Sequence, residues 1–372
     1  MRIGVPKEIK VNEYRVGLTP DAVREFVAAG HEVIVETGAG DGINASDQTY
    51  RSAGAAIADA AAEIFANSQM IVKVKEPQPS EWRLLRANQI LFAYLHLAAN
   101  PEQTKGLLAS GCTAVAYETV TGPDGVSLPL LAPMSEVAGR LAIEAAGASL
   151  QRHHGGRGVL LGGVPGVPPA RVAILGGGVV GTQAARMAVG LGADVTILDR
   201  SLARLRQLDD LFQGRAKTRF ASAAAIEEEA FAADAVIGAV LIPGASAPKL
   251  VTRPMLKRMK QGAVLVDVSI DQGGCFESSH PTTHADPTFI VDGVVHYCVA
   301  NMPSAVPFTS SCALNHATLP YGLALAADGL EAIASNPGLR SGLNVHRGHV
   351  THAAVAASLG LNVKAPEAAL AA

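Results

Sequence analysis

The sequence predicts an α/β fold of two domains, each built on a parallel sheet. Three observations carry that prediction. A chain of 372 residues exceeds the length at which one hydrophobic core usually suffices, so two cores are expected. The composition is 49% hydrophobic but only 4% aromatic, rich in Ala, Val, Leu and Gly, which suits helices packed on buried parallel strands better than a β-sandwich. Short apolar runs also alternate with longer helical segments, the pattern of βαβ units.

Arg2 to Pro6 reads as a strand, followed by a charged loop carrying Lys7, Glu8, Lys10, Glu13 and Arg15. A helix follows, with Thr19 as cap, Pro20 in the first turn where a missing N–H costs nothing, and Gly30 as a left-handed stop. HEVIVE (31–36) is the next strand, then an Ala-rich helix over about 57–67 and strands at Met70–Val74, Gln89–Leu95 and Thr113–Tyr117. A proline-rich stretch from Pro123 to Pro133 breaks the rhythm, and Ser135 is expected to cap a long helix reaching about Leu150. The glycine-rich run 153–169 leads into the strand Arg171–Leu175, and a second series continues through strands Asp194–Leu198, Ala235–Val240 and Ala263–Val268. The Ala-rich remainder reads as mostly helical and too short to form another domain of this kind. The expected organisation is a discontinuous domain of residues 1–130 and 306–372, with 131–305 inserted as the second.

A formal net charge of -3 leaves no electrostatic footprint for nucleic acid or an anionic membrane, so small-molecule partners are expected. Cys112, Cys275, Cys298 and Cys312 lie far apart without a C-x-x-C pair, so neither a metal site nor a disulfide framework is expected, and a reducing cytoplasm fits. The opening MRIGVPKEIK does not read as a signal peptide, and no apolar run reaches membrane-spanning length; a soluble protein is expected.

The strongest local signal is Gly176-Gly177-Gly178-Val179-Val180-Gly181, a G-x-G-x-x-G directly after an apolar strand and before a helical stretch. Gly176 permits a tight turn, Gly178 lets the backbone approach a pyrophosphate, Gly181 allows close helix–strand packing, and the helix N-terminus offers free N–H donors. DVTILD ends in Asp199, at the spacing expected of the acid that binds an adenosine ribose and repels a 2′-phosphate. This points to a Rossmann-like domain that binds NAD in preference to NADP.

Ligands in open α/β sheets bind outside the carboxyl ends of the strands, which gives weight to Lys75 and His96, each at such an end. In the second domain Asp271 lies just beyond a strand, whereas Asp267 inside it is expected to bond locally. Arg15, read alone, is a surface charge. His153-His154 is read as an exposed loop pair with side chains pointing apart, and Thr309-Ser310-Ser311 as a helix cap and not a nucleophile.

With these residues in view, the chain closely resembles the alanine dehydrogenases and the related NAD-binding part of the proton-translocating transhydrogenases. The resemblance runs almost end to end, through GVPKEIKVNEYRVGLTP (4–20), VKVKEP (72–77), LHLA (95–98), LLAPMSEVAGR (130–140), GVPGVPPARVAILGGGVVG (163–181), VDVSIDQGGCFE (266–277) and CVANMPSAVP (298–307). It implies that Arg15 and Lys75 bind substrate, that His96 and Asp271 serve in proton transfer, and that Met134 and Asn301 line the pocket. Ser135, Val179, Asp199, Arg204, Val240, Leu241 and Val268 would contact the cofactor. It also implies a homo-oligomer, often a hexamer. His280 stands where an Arg or Lys is expected near the cofactor, and PFTSSCALNHAT departs from the usual pattern.

The implied reaction is oxidation of L-alanine to pyruvate and ammonia with hydride transfer to NAD. Arg15 is suited to grip the substrate carboxylate and His96 to move a proton near neutral pH, with Asp271 orienting the amine or relaying a proton. The alternatives are a non-catalytic NAD(H)-binding module like the transhydrogenase component, or a related dehydrogenase acting on a larger amino acid.

Overall fold

The computed structural model describes residues 1–240 and 247–371. The chain folds as two compact units, Met1–Met134 with Ser304–Ala372, and Ser135–Pro303.

The first unit begins with six strands, β1 (Arg2–Val5), β2 (Glu32–Glu36), β3 (Ala56–Ala58), β4 (Met70–Val72), β5 (Ile90–Ala93) and β6 (Thr113–Ala116), paired in parallel in the order β3-β2-β1-β4-β5-β6. Every residue of β4, β5 and β6 is buried, as continuous apolar runs require when helices cover both faces of a sheet. The helix Pro20–Ala28 starts at Thr19, whose hydroxyl accepts from the Ala22 N–H, and stops before Gly30 at φ +84°. The helix expected over 57–67 is shorter, Ala61–Asn67, because 56–58 is spent on the edge strand β3, and an additional helix, Asp47–Ser52, precedes it.

The second unit holds β7 (Arg171–Leu175), β8 (Asp194–Asp199), β9 (Lys217–Phe220), β10 (Ala235–Gly238), β11 (Val264–Asp267), β12 (Thr288–Val291) and β13 (Val294–Tyr297) in the order β9-β8-β7-β10-β11-β13-β12. All pairs are parallel except β12 with β13. One face packs Ala142, Ile143, Ala184 and Ala188 from the helices Ala132–Ser149 and Val179–Gly190, and the other packs Ile226, Ala230, Met255 and Leu256. Ser135 does not cap the first of these helices: the helix starts three residues earlier, at Ala132, and Ser135 lies inside it.

The final segment is mostly helical, as expected, and returns to the first unit, where it also adds a hairpin to the edge of the sheet. Strand β14 (Leu343–His346) pairs antiparallel with β6, and β15 (His349–Val350) turns back along β14. The two-residue turn between them has Arg347 at φ 45° and Gly348 at φ 78°. Such hairpin turns favour Asn-Gly or Asp-Gly, so the Arg in this one hid it from sequence reading. The helix Pro307–Asp328 carries Ser310 and Ser311 buried within its first turns; Val306 occupies the cap position, so the hydroxyl run is not a cap. Its Gly322 lets it approach the first helix closely, since a Cβ there would lie 2.9 Å from Cζ of Phe26.

Strand β1 is pressed against the helix Ala61–Asn67 at Gly4, where a Cβ would sit 2.3 Å from Ser68 Oγ and 2.7 Å from Ile64 Cγ2. Gly4→Ala therefore overpacks the core and is expected to cost about 1–3 kcal/mol. Urea unfolding at an unchanged midpoint would show that this contact relaxes freely.

Candidate functional site

The order β6-β5-β4-β1 sets the segments that leave the carboxyl ends of four neighbouring strands side by side: Glu118 after β6, His96 after β5, Lys75 after β4 and Arg15 in the loop after β1. Strand order reverses between β1 and β4, the place where open α/β sheets bind ligands.

Arg15 is not the surface charge its loop suggested; its side chain is 2% exposed. Its Nε donates to Glu13 Oε1 at 2.7 Å, its Nη2 to Glu13 Oε2 at 2.5 Å, and its Nη1 points at Met134 Sδ at 3.0 Å. Burial disfavours the guanidinium charge, but the hydrogen bonds and charge of Glu13 outweigh that and hold the Arg15 pKa above its ordinary value. The planar fork is thereby fixed along one edge, with Met134 against its outer nitrogen. Glu13 gave only a weak signal in sequence, its i, i+2 spacing to an arginine.

Lys75 is buried just past β4, beside a charge cluster that sequence reading missed. Lys73 Nζ, fully buried, lies 2.8 Å from Glu81 Oε1 and 3.2 Å from Glu8 Oε2. Glu8 Oε1 accepts from the Val74 N–H at 2.6 Å and the Lys75 N–H at 3.4 Å, and Glu81 Oε2 accepts from the Gln78 N–H at 2.8 Å. Burial works against the Lys73 charge, yet the two carboxylates keep its pKa above normal; burial pushes the Glu8 carboxyl up, partly offset by Lys73. The cluster thus fixes the backbone that carries Lys75.

His96 is exposed and sits in the left-handed region at φ 49°, ψ 40°, a conformation that costs a non-glycine residue on the order of 1–3 kcal/mol and is held only where surroundings impose it. Here Glu118 imposes it. Its Oε1 accepts from the His96 N–H at 2.6 Å, both carboxylate oxygens reach the Leu95 N–H at 3.2 Å, and Oε1 lies 3.9 Å from His96 Nδ1. The His96 ring lies parallel to that of Tyr94, centroids 5.9 Å apart. Tyr94, itself buried, donates to the Leu130 carbonyl at 2.5 Å and feels the charges of both Arg15 and Glu118, so it links the two ends of this group. His352 also faces Glu118; burial lowers its pKa against that carboxylate's pull.

In the second unit the glycine motif forms the turn from β7 into the helix Val179–Gly190. Gly176 has φ +103°, and a Cβ on it would meet the Ala239 carbonyl at 2.5 Å; a Cβ on Gly181 would lie 1.8 Å from the Gly176 oxygen. At exposed Gly178 a Cβ would meet nothing within 4 Å, and no side chain caps the helix, so its first N–H groups face open space as pyrophosphate binding needs. Val179 is exposed and Val180 half-buried. Asp199 Oδ2 accepts from the Gly177 N–H and Oδ1 from the Ser201 N–H, both at 2.8 Å. Arg204 braces the same turn, its Nε donating to the Gly177 carbonyl at 2.6 Å and its Nη2 to Thr182 Oγ1 at 2.7 Å.

Half-buried Val240 ends the segment after β10, its carbonyl accepting from Ser269 Oγ at 2.7 Å, and Val268 follows β11. Asp271 is exposed on a short turn, Ile270–Gln272, that hangs from Asp267. Asp267, fully buried, accepts from the Ser269 N–H at 3.1 Å, the Cys275 N–H at 2.9 Å and Ser279 Oγ at 2.6 Å. Asn301 is half-buried at φ 61°, and Met134 and Ser135 are consecutive residues of one helix. Leu241 lies outside the described residues. His280 stacks on Phe289 at 3.7 Å and is exposed. His153 and His154 are exposed but do not point apart, their ring centroids being 4.1 Å from each other. Among the described residues no group of three or more His, Cys, Asp or Glu could hold a metal ion.

Two sheets that share the parallel order 3-2-1-4-5, one continuing to strand 6 and the other to a terminal antiparallel hairpin, and one entered by a glycine turn with an acid at the end of the next strand, define a protein of two Rossmann-like units. The family model "Alanine dehydrogenase/PNT, N-terminal domain" matches residues 4–138, and "Alanine dehydrogenase/PNT, C-terminal domain" matches 142–353. The chain belongs to the alanine dehydrogenase/PNT family. It is 59% identical to an alanine dehydrogenase of Halomonas elongata over 97% of each chain. It is similar to a solved L-alanine dehydrogenase with a TM-score of 0.93 and 52% identity, covering 97% of this chain and 99% of that one. It also resembles a transhydrogenase from Sinorhizobium meliloti, with a TM-score of 0.81 and 28% identity over 95% of this chain and 100% of that one.

Lys73→Ala leaves the Glu8 and Glu81 carboxylates buried without their cation and is expected to destabilise the protein by about 3–5 kcal/mol, whereas replacing all three together (Lys73→Met, Glu8→Gln, Glu81→Gln) restores most of the loss. Denaturant midpoints of the single and triple variants check this; equal midpoints would show that the charges are not coupled.

Proposed function

We propose that this protein catalyses the NAD-dependent, reversible oxidative deamination of L-alanine to pyruvate and ammonia. The observation that carries the reading is the row of Arg15, Lys75 and His96 after neighbouring strands of one sheet, in a chain related along its whole length to alanine dehydrogenases. The first unit takes the substrate and the second the cofactor. A homo-hexamer acting in the cytoplasm on small molecules completes the reading; no described helix is long and apolar enough to cross a membrane.

A carboxylate that is present in both alanine and pyruvate calls for a fixed cation, and Arg15 is one whose plane Glu13 has already set. Lys75 adds a second positive charge near the substrate's reacting oxygen or nitrogen, while Met134 shields the outer end of the guanidinium. The bound nicotinamide supplies the hydride acceptor. Water must then add to the iminium carbon and lose a proton, and His96, exposed and anchored by Glu118, takes it. Asp271 has the second proton-transfer role, towards the amine, and Asn301 contributes to substrate binding. Gly176, Gly178, Val179, Val180 and Gly181 form the pyrophosphate-binding turn. Asp199 receives the ribose hydroxyls, and Arg204, Ser135, Val240, Leu241 and Val268 complete the cofactor contacts.

Adding L-alanine and NAD to the purified protein should produce NADH. No turnover with alanine, together with tight NADH binding, would favour a hydride-handling module of the transhydrogenase kind, and turnover only of larger amino acids would reassign the substrate. His96→Ala should lose on the order of 10²–10⁴ in kcat, the usual worth of a positioned proton-transfer group, with NADH affinity nearly intact. A folded His96→Ala enzyme of near wild-type kcat would move that role to Asp271.

Asp199→Ala should narrow the preference for NAD over NADP, because the carboxylate that repels a 2′-phosphate is gone. It should also weaken NAD itself, since the Gly177 N–H loses its acceptor. Steady-state kinetics with both cofactors decide; an unchanged preference would rule out Asp199 as the discriminating charge.

A further inference from the structure

The loop that carries Arg15 is held by a helix almost three hundred residues later in the chain. Ser311 and Asn315 stand one turn apart on the helix Pro307–Asp328, so their side chains share a face. Ser311 Oγ accepts from the Val16 N–H at 3.2 Å. Asn315 grips the loop twice, its Oδ1 accepting from the Thr19 N–H at 2.8 Å and its Nδ2 donating to the Gly17 carbonyl at 3.0 Å. Tyr50 closes the set by donating to the Leu18 carbonyl at 2.8 Å.

From residue 15 to 19 the backbone is thus fixed by side chains, not by secondary structure. Arg15 itself is held at its N–H by Glu13 Oε1 at 3.0 Å. Gly17 rests directly on β4: a Cβ there would lie 2.4 Å from the Val72 carbonyl. Strand β4 leads to Lys75, so the clamp sets Arg15 relative to Lys75 as well as to the sheet. Ser311 is fully buried and Asn315 is 2% exposed, and both spend their polar groups on this loop, which no packing requirement of the helix demands.

We propose that Asn315, supported by Ser311, is a positioning residue for the substrate-carboxylate site, acting through the backbone of residues 16–19 to aim Arg15. This rests on the reading of Arg15 as the group that grips the substrate carboxylate. An amide is suited to the task because it offers one acceptor and one donor in a plane and so satisfies an N–H and a carbonyl at once. Ser311, the last hydroxyl of the run Thr309-Ser310-Ser311, is therefore neither cap nor nucleophile but part of a backbone clamp.

The test is a double-mutant cycle on the full-length enzyme. Asn315→Leu, nearly isosteric and without polar atoms, should raise KM for both alanine and pyruvate about tenfold, because small misplacement of a binding group is costly, with kcat within about twofold. NADH affinity, measured by fluorescence titration, should not change. In an Arg15→Ala background, whose own KM must be raised, Asn315→Leu should add almost nothing. The proposal is overturned if Asn315→Leu leaves KM unchanged, if it raises KM equally in both backgrounds, or if NADH affinity falls with it. An Arg15→Ala enzyme of wild-type KM would instead overturn the reading of Arg15, and the aiming role with it. Should Asn315→Leu not fold, Ser311→Ala, which removes one acceptor and little volume, is judged by the same criteria with a smaller shift of about threefold.

Discussion

One buried carboxylate, Glu8, ties together the parts of the first unit on which its proposed chemistry depends. It stands in the loop after β1, accepts from the backbone N–H groups of Val74 and Lys75, and shares Lys73 with Glu81. The ends of β1 and β4 are where strand order reverses, and the two chains there diverge with no ladder to pair them. A carboxylate with two N–H donors and a cation does what the ladder cannot. The cost is a buried charge cluster, tolerated because the partners satisfy one another; without Lys73 the two carboxylates would lie unpaired in a low-dielectric interior.

The same constraint recurs in the second unit with different means. Where β7 and β10 diverge, Gly176 turns back against the Ala239 carbonyl, and the bare backbone of Gly178 is left facing outward. Asp199 and Arg204 brace this turn from the neighbouring strand and helix. The acid that the sequence marks for a ribose is therefore also part of the turn's scaffold, and its two oxygens already hold the N–H groups of Gly177 and Ser201. Under the proposed function, recognition of the ribose and rigidity of the glycine turn would be coupled through one side chain.

Charge pairing also shapes the substrate side. In the proposed reading Arg15 would meet its ligand not as a bare cation but as one half-neutralised by Glu13, which fixes the guanidinium plane in advance and limits the freedom lost on binding. His96 is handled similarly: Glu118 spends its oxygens on backbone N–H groups, holding a left-handed residue that would otherwise relax. In both cases a carboxylate two or more residues away in sequence sets the geometry of a group proposed to touch substrate.

What the sequence determined by itself is what local pattern encodes. Apolar runs four to six residues long located most strands of both sheets, the cap and proline at Thr19-Pro20 located the first helix, and the strand-glycine-helix context located the glycine turn with Asp199 beside it. The ends of β4 and β5 marked Lys75 and His96 because parallel sheets bind at those ends. Only the tertiary structure decided what depends on pairing across long separations. Arg15 looked like a surface charge because Met134, which meets its guanidinium, and Ser311 and Asn315, which hold Val16 and Thr19 of its loop, lie far along the chain. The hairpin of β14 and β15 was hidden by Arg347, whose positive φ belongs to the tight turn that the strand pairing closes and not to its own propensity. Glu8, Lys73 and Glu81 read as ordinary charges, since burial is a property of the assembled sheet, and no spacing in a sequence states which charges the fold will enclose together.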